Sequence, residues 1–567
     1  MIGKLRQLAA DPTLRRWLAA RALGRVSAPP RPTPHRPPYL VDGPLPAAVP
    51  GAARVRERCF PAPAMPISLP LPGGTDVVAP GMESSLFERT YADVETLLAV
   101  HRFAWIPIMG DNADPAWAIA LWNAWRRRFA IPDDSWAWHP YTAAERAVNF
   151  LGFFRRHGWP EPADETRAFL AIHAPAIAGR LEYFGEHNTG NHLANNGRGL
   201  LAIGLELGMP SYADMGTKIL IEEAKRIFMR SGILREGSSH YHLLYARNYV
   251  EAWLWARRHG HGAAPELEAI AAQTLAPLPR LCLRGGWPLI GDISPDCPPD
   301  HLAAFLPGGP TGTGWGSLLD DAERAAFLSL QAGTPPAGSA LLAADGWLRA
   351  DFGEWNGLWH TAPGGWSAIP GHGHQDIGSF EIHWGNVPLF VDTGRGAYGE
   401  TGEAALYRSA RVHNGLTLDE ADPYPPNKPY YDESFRRREG GAAPVSRVDA
   451  NGVALVFAGY GRMGAPVVRR HWTFFQNGFE IGDSVDGQGS PVVMRRLHTP
   501  WPCEVAAEAA VIRSPAGAFR VRADGAEPQI APATRWTAYG VGHSAHCIGF
   551  KTRAKLSWSG RLRIEHA

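Results

Sequence analysis

The chain has 567 residues, 45 % of them apolar and 20 % charged, and a formal net charge of +1. That length exceeds one hydrophobic core and calls for two or more domains. The near-neutral balance excludes the global basic field of a nucleic-acid-binding protein, but a local basic groove for an acidic polymer stays open.

Residues 1–83 read as an N-terminal helix followed by a proline-rich arm. The first 25 residues are basic without a long apolar core, which predicts a short amphipathic helix and not a secretory signal. No apolar run reaches the length of a membrane span, so the cytoplasm is the expected compartment. Residues 28–73 hold APPRPTPHRPPYLVDGPLP and FPAPAMPISLPLPGG. Proline at that density prevents helix and predicts an extended strap. Cys59, Cys282, Cys297, Cys503 and Cys547 are scattered, and form neither a disulfide framework nor a C-x-x-C pair. The 21 tryptophans raise the expectation of sugar-stacking faces.

In the domain assigned to 84–335, the apolar spacing is three and four from about 84 to 285, predicting helices near 86–104, 115–129, 142–157, 163–182, 191–207, 211–230, 239–259 and 265–283. Asp114-Pro115 marks a helix start. Helices joined by such short turns form antiparallel pairs, here an (α/α) toroid or solenoid. Residues 286–340 read as irregular. From 336 to 567 short β-rich runs alternate with Gly, Asn and Asp, the pattern of an antiparallel β-sandwich. The fold class is therefore multidomain, helical toroid then sandwich. Arg126–Arg128 and Arg436–Arg438 are the obvious basic runs, and such runs are usually solvated faces.

Two helical stretches carry unusual chemistry. In EHNTGNHLANNGRGL, a helix starting near Asn191 places His192, Asn195, Asn196 and Gly199 on one face. Glycine and asparagine there cost helix stability, as expected of a functional surface or of a buried amide network. In EGSSHYHLLY, a helix beginning near Ser239 presents His240, Tyr241 and His242 in its first turn. The helix N-terminus favours a phenolate at Tyr241, and Tyr245 is its rival one turn on. Upstream, SWAWHPYTAAERAVNFL sets Trp138 and Arg146 at another helix start, where Arg146 meets an acidic ligand or bridges helices.

In the β half, GHGHQDIGSFEIHWGNVPLFVDTG opens with His372 and His374. Alternation, a Gly385-Asn386 break and a second β-rich run predict a hairpin. With the turn there, Ser379 lies opposite Asp392, which brings His374 and Asp392 to one open end. His413 supplies a third ligand from a neighbouring strand. Two imidazoles and a carboxylate suit Zn²⁺.

GNHLANNGRGL, EGSSHYH, GDISP, the GHGH block and YRSARVHNGLTLD together resemble the heparinase II/III family of polysaccharide lyases. The resemblance runs from roughly Trp138 through the β half. It implies a toroid and sandwich whose shared cleft binds an acidic polysaccharide or oligosaccharide. Carried over by position, Asn191 and His192 meet the uronate, Tyr241 is the catalytic tyrosine, and His372 is the cleft histidine of the β domain. His374, Asp392 and His413 become ligands of a structural zinc. Arg146, Asn195, His240 and Trp138, read from their own stretches and not from the resemblance, are the candidate substrate contacts. The chain has asparagine where some of these lyases carry an acid near position 195. The expected reaction is β-elimination at a uronic acid. Alternatives on the same fold are glycoside hydrolysis, which needs two flanking carboxyl groups such as Glu186 and Glu236, or a non-degrading glycan-binding factor of polysaccharide assembly.

Overall fold

The computed structural model describes residues 11–26, 33–186, 189–367, 371–428 and 430–567. Helix α1 (Pro12–Ala22) is capped by Asp11, whose side chain accepts from Leu14 N at 2.9 Å. It docks on the β half. Trp17 is buried against Tyr430, with ring centroids 4.6 Å apart, and Arg16 pairs with Glu439 at 2.8 Å. The proline-rich segment is a strap, as expected, and crosses the helical half. Gly51 N donates to Leu207 O at 2.8 Å, Tyr212 OH to Pro46 O at 2.6 Å and Tyr39 OH to Glu223 at 2.9 Å.

The helical half is built on α2 (Pro115–Arg128), α3 (Pro140–His157), α4 (His192–Glu206), α5 (Pro210–Ile227), α6 (Ser239–Arg258) and α7 (Ala264–Leu275). Asp114 caps α2 through Ala116 N at 2.8 Å. Three predicted helices are broken. The 86–104 segment yields a 3₁₀ turn and then Val94–Arg102, restarted by the Asp93 cap. The 163–182 segment splits into Ala163–Ala171 and His173–Ala178, where Pro175 has no N–H for the preceding turn. The third ends at Leu275, two residues before Pro277. The irregular reading of 286–340 missed the helix Asp321–Gly333, which starts with a complete capping box from Asp320 and Glu323.

Helices α4 and α5 approach closely because glycines face each other. A Cβ on Gly216 would lie 2.4 Å from Leu201 N, and one on Gly199 would lie 2.6 Å from the Ala144 Cβ of α3. The glycines of GNHLANNGRGL therefore answer to packing.

The β half begins at β1 (Trp347–Phe352) and continues antiparallel through β2 (Trp355–His360), β3 (Ser379–Trp384) and β4 (Val387–Phe390). The predicted hairpin is present, with Trp384 paired to Val387 and Gly385 at φ +54°. A bulge between Ile382 and His383 shifts its register, and the ladder ends at Phe390. Ser379 Oγ still reaches Asp392 Oδ2 at 3.3 Å. An eight-stranded and a second four-stranded antiparallel sheet complete this half. All three sheets meet in one core around Trp355, Trp359, Phe380, Trp472, Phe479 and Leu497. The Asn477-Gly478 turn joins two long strands with Phe475 opposite Gly478.

The tryptophans serve mainly to fill cores. Trp105, Trp117, Trp122, Trp125, Trp315 and Trp347 are all fully buried, whereas Trp136 is 49 % exposed. The basic runs pair locally: Arg128 with Glu88 at 3.2 Å, and Arg437 with Glu433 one helical turn away. No helix among the described residues is long and apolar enough to cross a membrane.

Candidate active site

The two halves touch where glycine lets backbone meet backbone. Gly371 and Gly373 flank His372, and a Cβ on Gly371 would lie 2.5 Å from the Glu236 side chain. Gly237 and Gly373 are so close that a Cβ on the former would sit 3.0 Å from the Cα of the latter. His372 N donates to Glu236 O at 2.9 Å, and Asp292 N donates to His372 O at 2.8 Å. The GHGH loop of the β half is thus laid along two loops of the helical half, and that seam sets His372 against Tyr241 and Asn191.

The start of α6 is held by the same loops. Ser238 Oγ accepts from Tyr241 N at 3.1 Å and donates to Asp292 O at 2.7 Å; Ser239 Oγ donates to Pro288 O at 2.7 Å. This fixes Tyr241, whose ring stacks on His372 with centroids 3.4 Å apart and planes within 8°. The Tyr241 hydroxyl lies 2.6 Å from that of Tyr398. Asn191 stands at the N-cap position of α4 without capping it through its side chain, and its Nδ2 donates to Glu236 Oε2 at 2.8 Å and to His372 Nε2 at 3.1 Å. Asn191, Tyr241 and His372 therefore come together, as the sequence predicted.

Asp292 organises the imidazoles. Its Oδ2 lies 3.1 Å from His372 Nδ1, and its Oδ1 lies 2.8 Å from His374 Nε2 and accepts from Arg395 Nη1 at 3.0 Å. Burial opposes its charge, but these bonds prevail and hold the carboxyl well below its ordinary range. With Asp292 accepting at Nδ1, His372 keeps its lone pair at Nε2, where Asn191 donates.

Tyr241 departs from expectation. A phenolate was predicted from the helix N-terminus, but its pKa stands well above the ordinary phenol value. Burial is the main cause and the Asp296 carboxylate the next, and the bond from Tyr398 opposes both only in part. A low-dielectric site with two aspartates outweighs the helix field. Tyr245 is no rival for the cleft: it is fully buried and donates to Asn191 O at 2.8 Å.

His192 is half-exposed, and its Nδ1 lies 2.7 Å from Glu182 Oε1. The remaining predicted contacts lie behind the cleft. Arg146 is fully buried between Trp125 and Trp138, and donates to His173 Nε2, His101 O and Ala137 O. It bridges helices. Trp138 is core, and its indole N–H goes to Phe129 O. Asn195 is buried between Tyr141 O and Arg198. His240 is buried, accepts from Ser294 N at 2.9 Å, and is pushed by burial down to about 3. These four residues have almost no surface to offer a ligand, because their positions on the helices turn them toward neighbouring helices and loops.

His413 Nδ1 lies 2.8 Å from Asp392 Oδ2, and the His374 and His413 ring centroids are 5.1 Å apart. Each ring has one buried nitrogen without a partner among the described residues, His374 Nδ1 and His413 Nε2. Those two nitrogens and the carboxylate are the donor types zinc takes. As placed, no three His, Cys, Asp or Glu side chains among the described residues are gathered into a ligand cluster.

Sequence reasoning assigned no role to Asp292, Glu182 or Tyr398. GDISP contained the first in plain view, but the aspartate's two histidine partners are 80 and 82 residues away. Glu182 lies in extended chain before α4 and carries no motif at all.

Residues 334–553 match the family model described as Heparinase II/III-like, C-terminal. Among solved structures, a heparinase III superposes with TM-score 0.62 at 15 % identity, covering 84 % of this chain and 78 % of that one. The heparan sulfate lyase HepC from Pedobacter heparinus gives 0.53 at 15 %, covering 87 % and 79 %. A second heparinase III, the BT4657 gene product, gives 0.54 at 17 %, covering 84 % and 78 %. A search of curated protein sequences finds no match. The C-terminal part of this chain is thus similar to heparinase II/III-like C-terminal domains, and its helical and β halves together have the fold of heparinase III.

Proposed function

We propose that the protein is a polysaccharide lyase that cleaves a uronate-containing acidic polysaccharide by β-elimination. The observation that carries this reading is the stacking of Tyr241 on His372, two groups from separate halves, with the Asn191 amide 3.1 Å from the same imidazole. An acid, a base and a neutral hydrogen-bond donor in one cleft are what the reaction requires.

The hydrogen bonds at His372 and the burial of Tyr241 suggest the roles. Substrate displaces the Asn191 contact and exposes the Nε2 lone pair of His372, which takes the proton from C5. The C5–H electrons form the C4–C5 double bond as the C4–O4 bond breaks. Tyr241, held neutral by burial, gives its proton to the departing O4 and recovers one through Tyr398. The Asn191 amide and His192 face the uronate carboxylate and stabilise the enolate-like charge that develops there. Each proton transfer contributes on the order of 10²–10⁴ in rate. Trp136, whose ring centroid is 5.4 Å from that of His139, offers an indole face to a neighbouring sugar.

Zinc, held by His374, Asp392 and His413, would brace the loop that carries His372 without touching substrate. Elemental analysis of the purified protein checks this: one zinc per chain is expected, lost in His413→Ala, and a protein purified without zinc refutes the ligand set.

A screen of uronate polymers tests the main reading. The lyase leaves a 4,5-unsaturated product with a new ultraviolet band. New reducing ends without that band indicate a hydrolase, and glycan binding without cleavage indicates an assembly factor.

A further inference from the structure

Glu182 has no role in the chemistry above, yet it is a buried carboxylate, 8 % exposed, bonded to His192. Its Oε1 lies 2.7 Å from His192 Nδ1 and 3.6 Å from His139 Nε2; its Oε2 accepts from Asn196 Nδ2 at 3.0 Å. Its own backbone N–H donates to Asn196 Oδ1 at 3.1 Å. Asn196 thus clamps both the backbone and the side chain of Glu182 from the buried face of α4. A carboxylate fixed this rigidly orients whatever imidazole binds it. The His192 ring, half-exposed, rests beside Tyr141 with centroids 4.7 Å apart, and its Nε2 is left without a protein partner among the described residues.

We infer that Glu182 is a positioning residue. It locks His192 through Nδ1, so that Nε2 is turned toward the carboxylate of a uronate sugar, with His139 on the same oxygen as a weaker second imidazole. The inference rests on the lyase reading for the identity of the ligand, but not for the imidazole–carboxylate geometry.

The surrounding charges favour this assignment. Desolvation of the covered side of this half-exposed ring and Arg102 disfavour the His192 cation, whereas Glu182 and Glu236 favour it, and the net direction is upward. Asp296 and Glu95 also face this imidazole electrostatically, and each is itself bonded to or paired with Arg102. At His139 burial outweighs Glu182 and holds the imidazole down. The two histidines on one carboxylate are therefore unequal, with the cation favoured at His192 and disfavoured at His139.

The test is a histidine titration by NMR on the isotope-labelled full chain, with His192→Gln for assignment. In the wild type the His192 midpoint is expected above that of an unperturbed histidine, and glucuronate, but not glucose, should shift its resonance. Glu182→Gln should lower the midpoint and abolish the glucuronate response, and Glu182→Asp should restore part of both. In turnover, Glu182→Gln should raise KM for a uronate polymer roughly tenfold or more, the worth of a charge-assisted hydrogen bond, with a smaller change in kcat. A His192 midpoint that does not move in folded Glu182→Gln overturns the proposal, as does an equal response to glucose. Because the titration needs no turnover, a protein without lyase activity but with a Glu182-dependent midpoint refutes the lyase reading and leaves this one standing.

Discussion

Asp292→Asn isolates the contribution of one buried carboxylate. The side chain keeps its volume and one oxygen, so the seam between the halves stays filled. Oδ1 serves two donors, His374 Nε2 and Arg395 Nη1, whereas Oδ2 serves only His372 Nδ1. The amide therefore keeps its oxygen toward Arg395 and turns its NH₂ toward His372, since the reverse confronts a guanidinium with a second donor. An N–H facing Nδ1 forces the His372 proton to Nε2, the nitrogen assigned to take the C5 proton. The expected loss in kcat is on the order of 10²–10⁴, with KM within a few-fold. Arg395 retains a neutral acceptor, so the stability cost is about 1.5–3 kcal/mol for weakened charge-assisted bonds. Arg395 facing alanine would lose more. The assay is initial rate at the ultraviolet band of the product, beside urea unfolding of both proteins. A folded Asp292→Asn enzyme with kcat within about threefold of wild type, a small fraction of the general acid–base effect, refutes the tautomer argument and with it the base role of His372.

Tyr241→Phe should remove the proton donor and reduce kcat by roughly 10²–10⁴ without loss of fold; near-normal elimination rates would transfer the acid role to Tyr398. Acid should destabilise the helical half. Burial, with Arg146 beside the first, holds His101, His240 and His242 down to about 3. Unfolding lets each regain a pKa near 6.5, so the unfolded chain binds more protons and stability falls as pH drops from about 6.5 toward 3. By pH 5 the loss is roughly 2 kcal/mol for each histidine, about 6 kcal/mol together. Urea midpoints at pH 7 and pH 5 measure it, and equal midpoints contradict it. Gly216→Ala gains helix propensity of about 1 kcal/mol but drives a Cβ to 2.4 Å from Leu201 N and 2.5 Å from Gly197 O. Backbone cannot yield as a side chain does, so a net loss of about 2 kcal/mol or more is expected. An unchanged unfolding midpoint would show that α4 and α5 have room to separate.

The local sequence determined much of this protein. Periodicities of 3.6 and 2 separated the halves, Asp114-Pro115 placed a helix start, and the Gly385-Asn386 break placed a hairpin, because caps and turns depend on residues within a few positions of each other. Tyr241, His372 and Asn191 were legible because each lies in a stretch whose composition suits no ordinary helix or strand. What the sequence could not decide was which side of each helix met solvent. Arg146, Asn195, His240 and Trp138 lie in or beside the same stretches as the cleft residues, and only the packing of neighbouring helices turned them inward. The protonation of Tyr241 was also beyond reach. It depends on burial and on Asp296, brought close by tertiary structure, and these outweigh the local helix field. Asp292 and Glu182 act through partners fixed by the meeting of distant segments, and a residue's partners across such a seam leave no periodic trace in its own neighbourhood.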